Sequence, residues 1–262
     1  MNALGKKYLR ISSLPTLFCP GCGNGTIMNA MIRVVDKMGL DNFSFVSGIG
    51  CSSWIPVFIN GDVLHTLHGR AIPVATGLKL AQPDKHVVVF SGDGDCLGIG
   101  GNHFIHAARR NIDITVVMIN NYIYGMTGGQ VAPTTPHDKT TKTTPYGNPE
   151  SPFSACALAQ AAGATFVARQ TSAYPVQLQK CIEQAVEHKG FSYIEVMTQC
   201  PTQAGRNIFG SGDPVFMFNE LKRRSVLKAD QEPIGDEFKI GVLYEDTEKI
   251  AFKPVVIGGA AK

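Results

Sequence analysis

No apolar run in this sequence approaches the length of a membrane span. The longest, such as residues 114–119, end after a few residues, where a helix needs about 20 to cross a bilayer. Charge is sparse: 17% of residues are charged, and the formal net charge of +3 is too small to argue for nucleic acid. Neither a basic cluster nor an internal repeat stands out. The first residues lack an apolar signal segment, so export is not expected. Seven cysteines without such a segment fit a reducing compartment, where thiols ligate metal or pack as small hydrophobes rather than pair. The expected location is cytoplasmic, with neither nucleic acid nor membrane as partner.

What is present is a globular composition. The 262 residues are 44% hydrophobic, enough for one sizeable core. Short apolar runs rich in β-branched residues, at 43–47, 86–91, 114–120, 165–168 and 191–198, read as strands. Helical segments at 71–81, 100–110, 154–162 and 175–189 alternate with them. In the last of these, Leu178, Cys181, Ile182, Ala185 and Val186 share one face. This alternation predicts an α/β domain with a doubly wound parallel sheet covered on both faces.

Residues 128–152, rich in Thr, Pro, Gly and Lys, form a long loop that follows a strand end and is expected to close over a ligand. The rhythm stops near Pro201. The expected division is an α/β domain over 1–200 and an extension over 201–262. The extension holds one helix at 214–224 and packs on the domain or on a partner.

The strand at 86–91 runs into Ser91-Gly92-Asp93-Gly94-Asp95. Glycines let backbone approach a phosphate closely, and the amino terminus of the following helix offers unpaired N–H groups. Asp93 supplies a hard oxygen ligand for Mg²⁺, whose remaining positions suit phosphate oxygens. The next strand ends at Asn120-Asn121, so a side-chain amide reaches the same metal from a neighbouring strand end. Alone, the first motif reads as a tight turn and the second as a polar strand end. Together they point to a metal-bound diphosphate.

Cys19 and Cys22 form a CxxC around Pro20-Gly21, Cys51 follows Gly48-Ile49-Gly50, and Cys200 precedes Pro201. The last two lie at strand ends, and four thiolates are what a [4Fe–4S] cluster needs. A four-cysteine zinc site and a redox dithiol use the same spacing, so cysteines alone leave the choice open. Cys96, Cys156 and Cys181 read as packing residues.

The segment 92–121 resembles the thiamine diphosphate (TPP) motif. With the cysteines, Gly69-Arg70-Ala71 and residues 123–130, the chain resembles a 2-oxoacid:ferredoxin oxidoreductase β subunit from about Leu17 to about Pro201. The resemblance implies the PP-type TPP-binding fold with an N-terminal cluster-binding segment and an irregular C-terminal tail. It makes Asp93, Asn121 and the Ile123 carbonyl the Mg²⁺ ligands, and Cys19, Cys22, Cys51 and Cys200 the cluster ligands. By the same resemblance Ile49, Gly50, Cys51, Ser52, His68, Gly92, Gly94, Asp95, Gly125 and Met126 contact TPP, with His68 a candidate catalytic group.

The implied reaction is CoA-dependent oxidative decarboxylation of a 2-oxoacid to acyl-CoA and CO₂, or its reverse, with electrons passing through the cluster to ferredoxin. The glutamate that activates TPP is expected from an α subunit, in a heterodimer or a dimer of heterodimers. Residues 122–136 most resemble 2-oxoglutarate enzymes, which ranks 2-oxoglutarate before pyruvate and branched-chain 2-oxoacids. Some broad-specificity relatives carry Lys where Trp54 or Gly128 stands, so a distal substrate carboxylate must find its cation elsewhere, at Arg70 or in the partner. The competing readings are a non-redox TPP decarboxylase subunit and an electron-transfer subunit with a vestigial TPP fold.

Overall fold

The computed structural model describes residues 3–227 and 231–253. Seven strands form the main sheet: β1 (Phe43–Ser47), β2 (Asp62–His65), β3 (His86–Gly92), β4 (Thr115–Asn120), β5 (Phe166–Thr171), β6 (Ser192–Met197) and β7 (Gly241–Glu245). Their order is β7-β5-β6-β4-β3-β1-β2. All neighbours are parallel except β7, which runs antiparallel to β5 with a register shift between Val242 and Tyr244. The fully parallel sheet expected from the sequence is therefore mixed. Its antiparallel edge comes from the tail, where half-exposed residues give no apolar run to read.

Two layers of helices cover the sheet. On one face lie α1 (Asn24–Met38) and, later in the chain, the segment 175–187. On the other lie α2 (Ala71–Ala81), α3 (Gly101–Arg109) and α4 (Ala155–Ala162). The helix Pro175–Glu187 is α5, and Pro214–Arg224 is α6. Side chains alternate across the sheet, as the strand period of two requires. Val88, Phe90, Val117, Ile119, Ile194 and Val196 face α1 and α5, whereas Val87, Val89, Val116 and Met118 face the opposite layer.

Every predicted strand and helix is present, with ends moved by a few residues. The sequence reading missed α1, which carries Ile27, Met28, Met31, Val34 and Val35 into the core. Strand β2, which ends at His65 ahead of His68, is not marked by a bounded apolar run in the sequence.

Beyond Pro201 the chain does not stay apart. Ala204, Ile208, Leu221 and Phe238 join Tyr122, Ile123, Met197 and Cys200 in a third apolar cluster at the carboxyl end of the sheet. Residues 228–230 and 254–262 of the expected extension lie outside the described residues. Among the described residues no helix is long and apolar enough to cross a membrane.

Candidate active site

The chain order reverses between β1 and β3: the path runs outward to β2 on one side and to β4 on the other. Ligands in open α/β sheets bind at the carboxyl ends of strands beside such a switch. The turns leaving β1, β3 and β4 meet there around one cavity. Its wall contains Ile49, Gly50, Cys51 and Ser52 after β1, Gly92, Asp93, Gly94 and Asp95 after β3, and Asn121, Ile123, Gly125 and Met126 after β4. His68 closes one side. All the residues expected to contact TPP or Mg²⁺ thus surround a single space.

Asp93 is 2% exposed. Its side-chain partner is the Thr134 hydroxyl, which donates to Oδ2. Burial pushes the Asp93 carboxyl up to about 7, far above an ordinary aspartate. A buried carboxylate with so little compensation is a site that a divalent cation would satisfy, so the donor set fits Mg²⁺. Asn121 lies across the cavity, and its Oδ1 accepts from Ile123 N at 3.2 Å. The intervening Tyr122 has φ 66°, a left-handed conformation that turns the strand end back toward the cavity. Beneath that corner Asn120 donates to Glu195 at 2.7 Å, and Glu195 accepts from Arg169 Nε at 2.7 Å. A buried ion pair therefore holds the strand end that carries Asn121.

Asp95 departs from the expected geometry. It lines the cavity, but protein donors already occupy its carboxylate. Oδ1 accepts from Gly69 N at 2.7 Å, Ile49 N at 3.1 Å and His68 Nδ1 at 2.5 Å, and Oδ2 accepts from the Ser91 hydroxyl at 2.5 Å. Asp95 ties three chain segments together. By accepting from Nδ1 it fixes the His68 tautomer that leaves Nε2 as the free ring nitrogen. A side chain at Gly48 would collide with this carboxylate, and one at Gly94 would collide with the Tyr124 ring. After Asp93 the chain winds as a π-helix over Gly94–Ile99 before α3 begins, a geometry frequent at functional sites.

The four expected cluster cysteines share one neighbourhood. An added Cβ on Gly125 would lie 3.5 Å from Cys200 Sγ and 3.8 Å from Cys51 Sγ. Burial, reinforced by the other three cysteines, pushes the Cys22 thiol up to about 12. Burial, then Cys200 and Cys19, pushes Cys51 to about 11. Cys200 is also raised by burial, yet backbone N–H groups of Gln203, Ala204 and Thr202 favour its ionised form. Such an array of N–H donors suits sulfur that carries negative charge on iron. Cys96, Cys156 and Cys181 are buried elsewhere in the sheet and helix layers.

Trp54 does not reach the cavity. It stacks on His65, with ring centroids 6.0 Å apart, and packs against the first core. Thr134 and Tyr124 were not singled out by the sequence reading. The Thr134-Thr135 pair within the 128–152 loop is the only local signal for the first.

Residues 48–196 match the thiamine pyrophosphate enzyme C-terminal TPP-binding domain. The chain is 54% identical over 253 residues to 2-oxoglutarate synthase subunit KorB of Methanocaldococcus jannaschii, covering 94% of this chain and 93% of that one. It is 55% identical over 254 residues to the subunit of the same name from Archaeoglobus fulgidus, covering 95% and 94%. The chain belongs to the 2-oxoacid:ferredoxin oxidoreductase β-subunit family.

A solved 2-oxoglutarate:ferredoxin oxidoreductase from Magnetococcus marinus, with 2-oxoglutarate, coenzyme A and succinyl-CoA bound, matches with a TM-score of 0.83. The identity is 36%, and the match covers 94% of this chain and 86% of that one. As an oxidoreductase β subunit the chain carries the TPP-binding domain. The cavity encloses only about 70 Å³, well below the several hundred typical of a site that surrounds a small molecule.

Proposed function

We propose that this chain is the TPP- and cluster-binding subunit of a CoA-dependent 2-oxoglutarate:ferredoxin oxidoreductase, working with an α subunit. One observation carries the reading: Gly125 lines the cavity that holds Asp93 and Asn121, and a Cβ added there would lie 3.5 Å from Cys200 Sγ, 3.7 Å from Asn121 Nδ2 and 3.8 Å from Cys51 Sγ. Cofactor site and thiols adjoin at this residue.

The residues divide the work. Asp93, Asn121 and the Ile123 carbonyl would hold Mg²⁺ against a diphosphate, with the backbone of Gly92 and Gly94 beside it. When bound, TPP supplies the nucleophilic carbon and electron sink for decarboxylation, and the cluster supplies a one-electron acceptor. Asp95 keeps His68 oriented, so that its free Nε2 is available to the diphosphate or the substrate. Asp93 and Asp95, the carboxylates in the wall, are both engaged, which supports a TPP-activating glutamate from the α subunit.

Cys19, Cys22, Cys51 and Cys200 would ligate [4Fe–4S]. A four-thiolate zinc site would leave the adjoining diphosphate site without an electron acceptor, whereas a cluster supplies one. The relatives' names and residues 122–136 support 2-oxoglutarate as substrate, with Arg70 beside His68, or an Arg of the α subunit, as the cation for its distal carboxylate.

Metal analysis of the anaerobically purified αβ complex tests the assignment. Iron and acid-labile sulfide should be present in equal amounts. Ser at position 19, 22, 51 or 200 should remove or degrade the brown chromophore, while Cys96→Ser and Cys181→Ser keep it. Zinc in place of iron and sulfide would refute the cluster.

A further inference from the structure

The four cysteines bridge two environments. Cys51 and Cys200 face the cavity wall at Gly125, whereas Cys19, Pro20 and Gly21 are exposed. Gly21, at φ 75°, lies so close to Pro214 that an added Cβ would overlap its ring, and it also approaches Pro201. The CxxC turn is therefore seated against the start of α6. Exposed apolar side chains flank it: Leu17 at 66%, Val215 at 65% and Phe216 at 41%.

Directly beside this patch is a second, larger cavity of about 860 Å³. It is bounded by Pro201 and Asp213 and carries Lys142 and Arg206. Among the described residues neither cation makes an ion pair. The one acidic residue in that wall, Asp213, is committed to capping α6, its Oδ1 accepting from Val215 N at 3.0 Å. The result is a group of exposed apolar side chains beside the CxxC turn, with unpaired positive charge on the adjoining cavity wall.

We infer that this surface is where the electron carrier docks, an acidic iron–sulfur protein whose carboxylates meet Lys142 and Arg206 while its redox centre faces the Cys19–Gly21 turn. The inference rests on the cluster reading above. An apolar centre with a charged rim is the anatomy of a protein interface, and charge complementarity sets encounter rate and orientation. Electron-transfer complexes are small and transient, so few contacts are needed. Each encounter moves one electron: the reduced cluster is oxidised and the carrier's centre is reduced, with no bond made. Two carriers take the pair released per 2-oxoacid.

The αβ holoenzyme and a recombinant acidic [4Fe–4S] ferredoxin provide the test. Lys142→Glu and Arg206→Glu should each weaken ferredoxin binding, measured by calorimetry at low salt, by about tenfold or more. Methyl viologen reduction and the KM values for 2-oxoglutarate and CoA should stay within about twofold. Carbodiimide should crosslink Lys142 to ferredoxin carboxylates, read by mass spectrometry. Unchanged ferredoxin affinity, a rise in the KM for CoA instead, or crosslinks from Lys142 to the α subunit would each overturn the docking site. A wild-type complex that reduces neither ferredoxin nor viologen would instead sink the oxidoreductase assignment.

Discussion

Asp93 shows how one residue sets stability against function. Its raised carboxyl means that the metal-free chain gains stability from it below the ordinary aspartate range and loses that stability as pH rises through about 7. Asp93→Asn removes the buried charge. It should therefore stabilise the metal-free chain at about pH 8 by roughly 1–4 kcal/mol, read as a higher melting temperature. The same variant should lose the further stabilisation that TPP and Mg²⁺ give the wild type. An Asp93→Asn chain that melts lower without metal, or still responds to TPP and Mg²⁺, would contradict this account.

The sequence placed Asp93 and Asn121 because each ends a strand whose pattern is local. It did not reveal that Asp95 turns inward. Three of its four donors come from Ile49, His68 and Gly69, on segments that the fold alone brings near. Trp54 is near Cys51 in sequence, but the short helical turn after Cys51 swings it onto His65.

Among the elements, α2 and α6 were read to the residue because helical apolar spacing and turn-forming neighbours mark both ends. Helix α1 was not, because Gly21, Gly23, Asn24 and Gly25 at its start read as loop. Edge strand β7 was illegible for the opposite reason: it fills a vacancy on β5 and carries no pattern of its own. Its attachment is partly polar. His188, whose side chain is 4% exposed, hydrogen-bonds Thr165 at 2.8 Å and lies 3.8 Å from Glu245 at the end of β7. Burial holds this imidazole below its usual pKa, although Glu245, Asp113 and Asp246 oppose the shift. A lowered pKa gives stability that is present above the unfolded value and lost as pH falls. Between about pH 7.5 and about pH 5, His188→Gln should lose less melting temperature than the wild type. An equal or steeper loss would show that His188 does not carry this acid sensitivity.

For the whole molecule, an activating glutamate on the α subunit makes a strong demand. The isolated chain, loaded with TPP, Mg²⁺ and an intact cluster, should show no decarboxylase activity, and adding the α subunit should restore it. Turnover by the chain alone would show that the activating carboxylate is local. On the complex, kcat/KM for 2-oxoglutarate should exceed that for pyruvate or 2-oxoisovalerate. Either competitor ahead by tenfold, about 1.4 kcal/mol of transition-state preference, would reverse the substrate assignment. Specificity was the least legible property in the sequence, because no local motif marks the groups that would touch the far end of a substrate.

The exposed CxxC turn has a cost of its own. A cluster close enough to the surface to hand electrons to a passing protein is also within reach of dissolved dioxygen, which accepts the same electrons. Cys19, Pro20 and Gly21 cannot be covered against the gas without closing the exit to the carrier. Air sensitivity in such a subunit would then follow from its architecture.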